Sequence, residues 1–361
     1  MSLWKLVKLD FENNPVHFGE LGIGMEEISE RIHSDTLFSA WVSAYARLYP
    51  DKIEGLFDRF LKTTSPAFQV SSTFVYGGDK DPYTYYLPTL LERPCNYPEV
   101  DLHFTKSFRK LKYLPLSIWQ RWYQGTGFDP DRDVTELLAE NGELATAGTF
   151  DYRKIFKNQT LPKVAVDRIH HSTNFYQTSF IHFDNGGLYF LFCMPELDQD
   201  LLKELESALY FLGDEGIGGE RSSGAGRFKP TWSDLDDNWN SIVNPRLQEP
   251  HHALISLFWD TPDICYQHIQ PETTRYQLQE RGGWISARSG RQLRRKSVRM
   301  FTEGSVFPCQ PQGKLAIVTP EKLQPKQNDL IVTPDELQHK QHHPIYRSGV
   351  SLSLPVAIAK S

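Results

Sequence analysis

An amphipathic helix that runs straight into a loop of six glycines constrains this chain more than any other feature. "DLLKELESALYFLG" carries Leu201, Leu202, Leu205, Ala208, Leu209 and Leu212 on one side. "GDEGIGGERSSGAGRF", Gly213 to Phe228, follows at once, and "GRFKPTW" then reads as a strand. Upstream, "LWKLVKLDF" alternates like a strand, and "PVHFGELGIGMEEISERI" reads as a long loop. "HSDTLFSAWVSAYARLYP" reads as a helix capped by Ser34 or Asp35 and stopped by Pro50. Its apolar face is Leu37, Phe38, Trp41, Ala44, Tyr45 and Leu48. "FQVSSTFVY" is strand-like, and "NFYQTSFIHFDNGGLYFLFCM" predicts a hairpin turning at Asn185, Gly186 and Gly187. Strand, helix, two paired strands, helix, strand is the split β-α-β, or ferredoxin-like, pattern of an α+β fold, here interrupted by insertions.

At 361 residues the chain has room for two domains. "DLDDNWNSIVNPRLQEP" reads as a linker between them. "HALISLFW", "YQLQERGGWIS", "KSVRMFTEG" and "VSLSLPVAIA" supply strands for the second. The boundary falls between 1–230 and 231–361. An aromatic content of 13% argues against disorder. No run of about 18 apolar residues predicts a membrane span, and the N-terminus lacks a secretory pattern, so a cytoplasmic protein is expected. Cys95, Cys193, Cys265 and Cys309 form no CxxC pair and suggest neither zinc nor disulfides. "IVTPEKLQPKQ" from Ile317 recurs as "IVTPDELQHKQ" from Ile331, a local duplication too short for a solenoid.

The glycine loop matches no nucleotide fingerprint. Gly219 and Gly224 have Walker A spacing, but Ala225 and Gly226 stand where Lys and Ser or Thr belong. Gly216 and Gly218 follow a helix rather than open one, and Arg221 stands at the third glycine of a dinucleotide motif. The composition suits a backbone whose amides face an anion, with Arg221 and Arg227 as bidentate phosphate ligands. A net charge of −6 excludes wholesale capture of nucleic acid but not local binding. Two clusters free of acids stand out. One holds Arg281, Arg288, Arg291, Arg294, Arg295, Lys296 and Arg299; the other holds Lys106, Arg109, Lys110 and Lys112 beside Phe108 and Tyr113.

His33, Ser34 and Asp35 have the residue types of a hydrolase triad, but neighbours in sequence do not reach its geometry. His33 alone has two readings: a general base for RNA cleavage, or part of a helix start that meets a phosphate. His170 and His171 are too close to share one metal in a usual geometry. "LPKVAVDRIHHSTN" places Lys163 and Arg168 ahead of Phe175 and Tyr176, a finger suited to nucleic acid or an ordinary edge strand.

Taken together, "PVHFGELGIG", "IHSDTLFSAWVSAYARLYP", "PKVAVDR", "GIGGERSSGAGRF", "ERGGWI", "RRKSVRMFTEGSVF" and "HPIYRSGVSLSLPV" resemble the RAMP family that supplies the fourth subunit of the type III-A CRISPR (Csm) interference complex. The resemblance runs from Trp4 to Val356. It implies two ferredoxin-like (RRM/RAMP) domains, the first closed by the glycine-rich loop and bearing a β-hairpin thumb. It implies a non-catalytic role: holding the 5′ repeat-derived tag of the crRNA. The implied protein partners are the large polymerase and HD-nuclease subunit and the backbone RAMP (third Csm) subunit, with target RNA met only indirectly. No cofactor, metal or catalytic residue is expected. By motif, Gly218, Gly219, Arg221, Ser222, Ser223, Gly224 and Arg227 would cradle the tag. His33, Ser34 and Thr36 would meet it at the helix start, Lys163 and Arg168 near the thumb, and Arg281, Gly282, Gly283 and Trp284 from the second domain. The competing expectation is a metal-independent repeat-processing ribonuclease using His33 or His171. Residues 80–160 and the duplicated segment match the family poorly.

Overall fold

The alternating N-terminal segment forms β1 (Leu3–Asp10), which lies between two other strands. The structure, a computed structural model, describes residues 2–358 except 20–27, 63–64, 79–81, 99–104, 106–107, 110, 132, 134–153, 168, 170–172, 262–268, 270–272, 286–292 and 321–343. Helices α1 (Ser34–Leu48) and α2 (Ile53–Leu61) follow β1, then β2 (Gln69–Val70), β3 (Phe74–Gly77), β4 (Thr84–Pro88), β5 (Tyr113–Pro115) and α3 (Leu116–Gln124). Next come β6 (Phe156–Val166), β7 (Thr173–Phe183), β8 (Gly186–Met194), α4 (Gln199–Glu215) and β9 (Lys229–Asp234). The main sheet is antiparallel in the order β5-β4-β3-β8-β1-β9, with β2 also on β8.

Helices α1 and α4 cover one face of this sheet. The Trp41 indole N–H donates to the Leu205 carbonyl at 2.8 Å. Its ring packs on Phe68, Phe190, Phe192 and Trp232 at centroid distances of 5.6 to 5.9 Å. Leu37, Phe38, Trp41, Ala44 and Tyr45 are buried as the periodicity predicts, whereas Leu48, in the last turn, is 39% exposed.

Three expectations are corrected. First, β7 does not pair with β8 in a hairpin. It pairs along its whole length with the preceding β6, while β8 pairs with β3 across an insertion spanning residues 78–185. Asn185, with φ of 53°, turns the corner between the two sheets. Second, the expected linker contains α5 (Asp237–Val243), capped by Asp236, whose carboxylate accepts from the Trp239 amide, with Trp239, Ile242 and Val243 buried. Third, His33 rather than Ser34 or Asp35 is the N-cap residue of α1, because both of those side chains bind elsewhere.

In the C-terminal part, β10 (His251–Leu254) lies between β15 (Val306–Phe307) and β18 (Ser353–Val356). Around that sheet are the pairs β11 (Leu278–Arg281) with β14 (Val298–Phe301), β12 (Trp284–Ile285) with β13 (Leu293–Arg294), and β16 (Leu315–Ile317) with β17 (Tyr346–Ser348). The largest hydrophobic cluster runs through both parts of the chain, from Leu6 to Val356. Leu254, Phe258, Phe301 and Phe307 form a second, smaller one. No helix among the described residues is long and apolar enough to cross a membrane. Cys265 and most of the duplicated segment lie outside the described residues.

Candidate nucleic-acid interface

The glycine loop is held by the chain just after β1. The Gly219 amide donates to the His17 carbonyl and the Gly226 amide to that of Pro15, both at 2.8 Å. Ile217 N–H closes the loop on the Gly226 carbonyl at 2.9 Å. Amides of Ser223, Gly224 and Ala225 donate to carbonyls of Glu220 and Arg221. These amides are therefore spent inside the protein, which takes those of Gly219, Ser223 and Gly224 out of the expected cradle of open backbone N–H groups. What the loop presents outward is a one-turn 3₁₀ segment, Arg221–Ser223, with Arg227 beyond it.

Arg221, Ser222, Ser223 and Arg227 are all exposed. Neither arginine side chain makes an ion pair or hydrogen bond with a described residue. Gly224 has φ of 86° and open space where a Cβ would stand, so only its backbone angle demands glycine. At Gly218, with φ of 96°, an added Cβ would lie 2.5 Å from the His17 carbonyl and 2.9 Å from the Phe18 ring. Gly218→Ala is expected to cost at least about 1–3 kcal/mol from backbone strain. It should also raise hydrogen exchange over residues 213–228 in a urea series.

The β6–β7 hairpin adjoins this loop. Its base is tied down by His17, whose Nδ1 lies 2.8 Å from the Ser179 carbonyl, and by the Val16–Ile181 bridge. Lys163 of β6 pairs with Glu220 of the loop and stands 5.2 Å from the Phe180 ring centroid. That contact holds the Glu220 carboxyl below its usual range. Lys163 is thus a brace between hairpin and loop rather than an open cation. Farther out both faces are exposed, and Val164 faces Phe175, which is 63% exposed. Arg168, His170 and His171 lie outside the described residues. His17 and Phe18 belong to the "PVHFGELGIG" segment of the resemblance, but neither was expected among the site residues.

The start of α1 is not an open phosphate site. Ser34 N–H donates to Ser72 Oγ at 2.8 Å, and Ser34 Oγ accepts from the Leu257 amide at 2.9 Å. The buried His33 Nδ1 lies 2.8 Å from Glu303 Oε1, and Glu303 also takes Arg31 Nη2 at 3.1 Å and the Ser72 hydroxyl. Thr36 Oγ1 accepts from Arg281 Nη2 at 3.0 Å. Arg281 itself is buried, forked onto Asp35 through Nε and Nη2 at 3.0 Å each, and Arg347 binds the same carboxylate. The expected RNA contacts of Ser34, His33 and Arg281 are therefore replaced by protein contacts that join α1 to the C-terminal part. His33, 5% exposed, has its Nδ1 committed to Glu303.

Burial alone would raise the carboxyls of Asp35 and Glu303. The guanidiniums of Arg281 and Arg347 outweigh it for the first, and those of Arg31 together with His33 for the second. Both acids are held well below the usual range.

Nearby, the Gly282 carbonyl accepts from Arg347 Nη2 at 2.5 Å, and the Gly283 carbonyl accepts from the Arg295 amide at 2.8 Å. Gly283 has φ of 137°, and Trp284 on β12 is 48% exposed. Of the acid-free clusters, Arg109, Arg294 and Arg299 are exposed and Arg295 is half-buried. Lys106, Lys110, Arg288 and Arg291 lie outside the described residues. No group of three or more His, Cys, Asp or Glu able to hold a metal occurs among the described residues.

This antiparallel α/β arrangement is also found in chains of CRISPR interference complexes. It matches a chain of a "Csm3-Csm4 subcomplex in the type III-A CRISPR-Cas interference complex" with TM-score 0.64 and 19% identity, covering 98% of this chain and 99% of that one. It matches a chain of a "Csm1-Csm4 cassette in complex with cA4" with TM-score 0.55 and 18% identity over all of both. In sequence, the chain is 26% identical to "CRISPR system Cms protein Csm4" of Methanocaldococcus jannaschii, over 95% of each protein. It is also 26% identical to the Streptococcus thermophilus protein of that name, over 88% of this chain and 93% of the other. Residues 247–356 match the family model described as "CRISPR Csm4 C-terminal domain". The chain is thus similar over most of its length to Csm4 proteins, and its C-terminal part matches the Csm4 C-terminal domain.

Proposed function

We propose that this chain is a non-catalytic crRNA-binding subunit of a Csm complex, holding the 5′ repeat-derived tag and joining the large polymerase and HD-nuclease subunit to the RAMP backbone. The observation that carries it is the exposed turn with two arginines, Arg221 and Arg227, that pair with no described residue, braced against the β6–β7 hairpin through Lys163 and Glu220. Guanidiniums with no internal carboxylate are available for bidentate contact with phosphate. Ser222 and the half-exposed Trp284 add a hydroxyl and a stacking surface for the same strand. The hairpin is the thumb in this reading, its exposed Val164 and Phe175 set to press on a base. Relatives solved with Csm3 and with Csm1 support the two protein partners.

In this reading residues 1–230 are a ferredoxin-like domain. The strand order β9-β1-β8-β3, with α1 after β1 and α4 after β8, supports it. Residues 231–361 are a degenerate second copy built on the β15-β10-β18 sheet.

The test incubates labelled repeat-derived RNA with the full chain, with and without chelator, beside an Arg221→Ala/Arg227→Ala variant. Retention and cleavage are read from the same samples. Intact RNA, kept by the parent and released by the variant, is the expected result. Specific cleavage of the RNA by the chain would overturn it.

A further inference from the structure

A second site lies on the other face of the main sheet. Val7 and Trp232 are register partners, and Trp232 packs on Trp41, so that face meets the helices. Side chains alternate along a strand, so Leu6, Lys8 and Ser233 point to the opposite face. There, β1 and β9 form the floor of a cleft of about 450 Å³, walled by β4, the start of α3, and α5. This volume is in the range of small-ligand pockets.

The chemistry of the cleft is specific. Tyr83 and Tyr85 line it half-buried, and Tyr85 packs edge-on against the buried Trp239 and Tyr189 at 5.7 and 5.1 Å. The Trp239 indole N–H is shut off from solvent and has no hydrogen-bond partner among the described residues. An unsatisfied buried donor costs about 1–3 kcal/mol. Lys8 Nζ stands 4.3 Å from the Tyr83 ring centroid and makes no ion pair with a described residue. The two carboxylates at the rim are engaged, Asp234 with Lys5 at 2.8 Å and Asp236 with the Trp239 amide. The cleft therefore joins two half-buried tyrosines to a lysine that makes no ion pair with a described residue.

We propose that this cleft binds a single nucleotide, its base against Tyr83 and Tyr85 and its phosphate on Lys8. Base stacking on aromatic side chains is worth about 1–3 kcal/mol, and a charge-assisted hydrogen bond about 1.5–3 kcal/mol. The ligand is either a free mononucleotide or one unstacked nucleotide of an RNA strand. The site shares no residue with the arginine turn and does not depend on it.

The experiment titrates the full chain with AMP by equilibrium dialysis and, separately, photocrosslinks it to a single-stranded RNA carrying 4-thiouridine. The variants are Lys8→Met and Tyr83→Ala. Saturable AMP binding that weakens about tenfold in Lys8→Met and Tyr83→Ala is expected for the free-nucleotide source. Crosslinks to residues 82–85 or 238–239 that those variants abolish are expected for the RNA source. Arg221→Ala/Arg227→Ala should change AMP binding by less than about twofold, which separates this site from the tag-binding reading. The proposal is overturned if AMP neither saturates nor crosslinks form, if binding ignores Lys8→Met and Tyr83→Ala, or if a side chain of another subunit fills the cleft in the assembled complex.

Discussion

Asp35→Ala should lower the unfolding free energy by about 3–5 kcal/mol, the cost of stranding buried charge. The carboxylate is fully buried and shared by Arg281 and Arg347, so its loss leaves two inward-facing guanidiniums without their anion. Asp35→Asn should cost less, because the amide oxygen still accepts one guanidinium bond. Asp234→Ala is the control: it breaks a solvent-exposed pair with Lys5, and such pairs are worth about 0–1 kcal/mol. Urea midpoints of the three variants decide the matter. If Asp35→Ala falls no further than Asp234→Ala, the junction does not hold the two parts of the chain together.

The same junction sets the acid response. Asp35 and Glu303 have folded-state pKa values below those of the unfolded chain. Their stabilisation is therefore complete above the ordinary carboxyl range, about pH 4, and is lost as pH falls toward the depressed folded values. The parent should lose stability steeply below about pH 4, and Asp35→Asn should show a shallower fall there. A parallel fall in both proteins would mean that Asp35 does not titrate as its partners require.

For Arg221→Ala/Arg227→Ala, guide-RNA affinity should fall by about a hundredfold, from two charge-assisted contacts of about 1.5 kcal/mol each. The salt dependence carries more information than the affinity. Each single-strand phosphate contact contributes about 0.7 to the slope of log K against log salt, so the variant's slope should be shallower by about 1.4. Its urea midpoint should match the parent's, since neither side chain bonds to a described residue. An unchanged slope would remove the turn from the RNA path.

Local order was largely legible in the residues. Five of the six apolar positions proposed for α1 are buried, and Leu201, Leu202, Leu205, Ala208, Leu209 and Leu212 are buried on α4. The strand character of "LWKLVKLDF" and the turn at Asn185 also stand. The partner of β7 was not legible. Alternation marks a strand but says nothing of which neighbour it pairs with, and the insertion of residues 78–185 puts β3 beside β8 from far away. Trp239, hidden in an apparent linker, was missed because its segment is mostly polar apart from the few residues it buries.

The candidate site divides in the same way. Residue type and spacing alone marked the glycine turn, because positive backbone angles such as that of Gly224 leave few choices of residue. They also located the two arginines. Whether a cation faces solvent or a carboxylate depends on what folds against it, and that is a tertiary matter. Arg281 and Lys163 look as available as Arg221 in the sequence, yet one is buried on Asp35 and the other spent on Glu220, while Arg221 pairs with no described residue. Helical and strand periodicity follow from local backbone geometry and so can be read from the chain. The pairing of charges is set by contacts between residues up to hundreds of positions apart, which only the folded structure brings together.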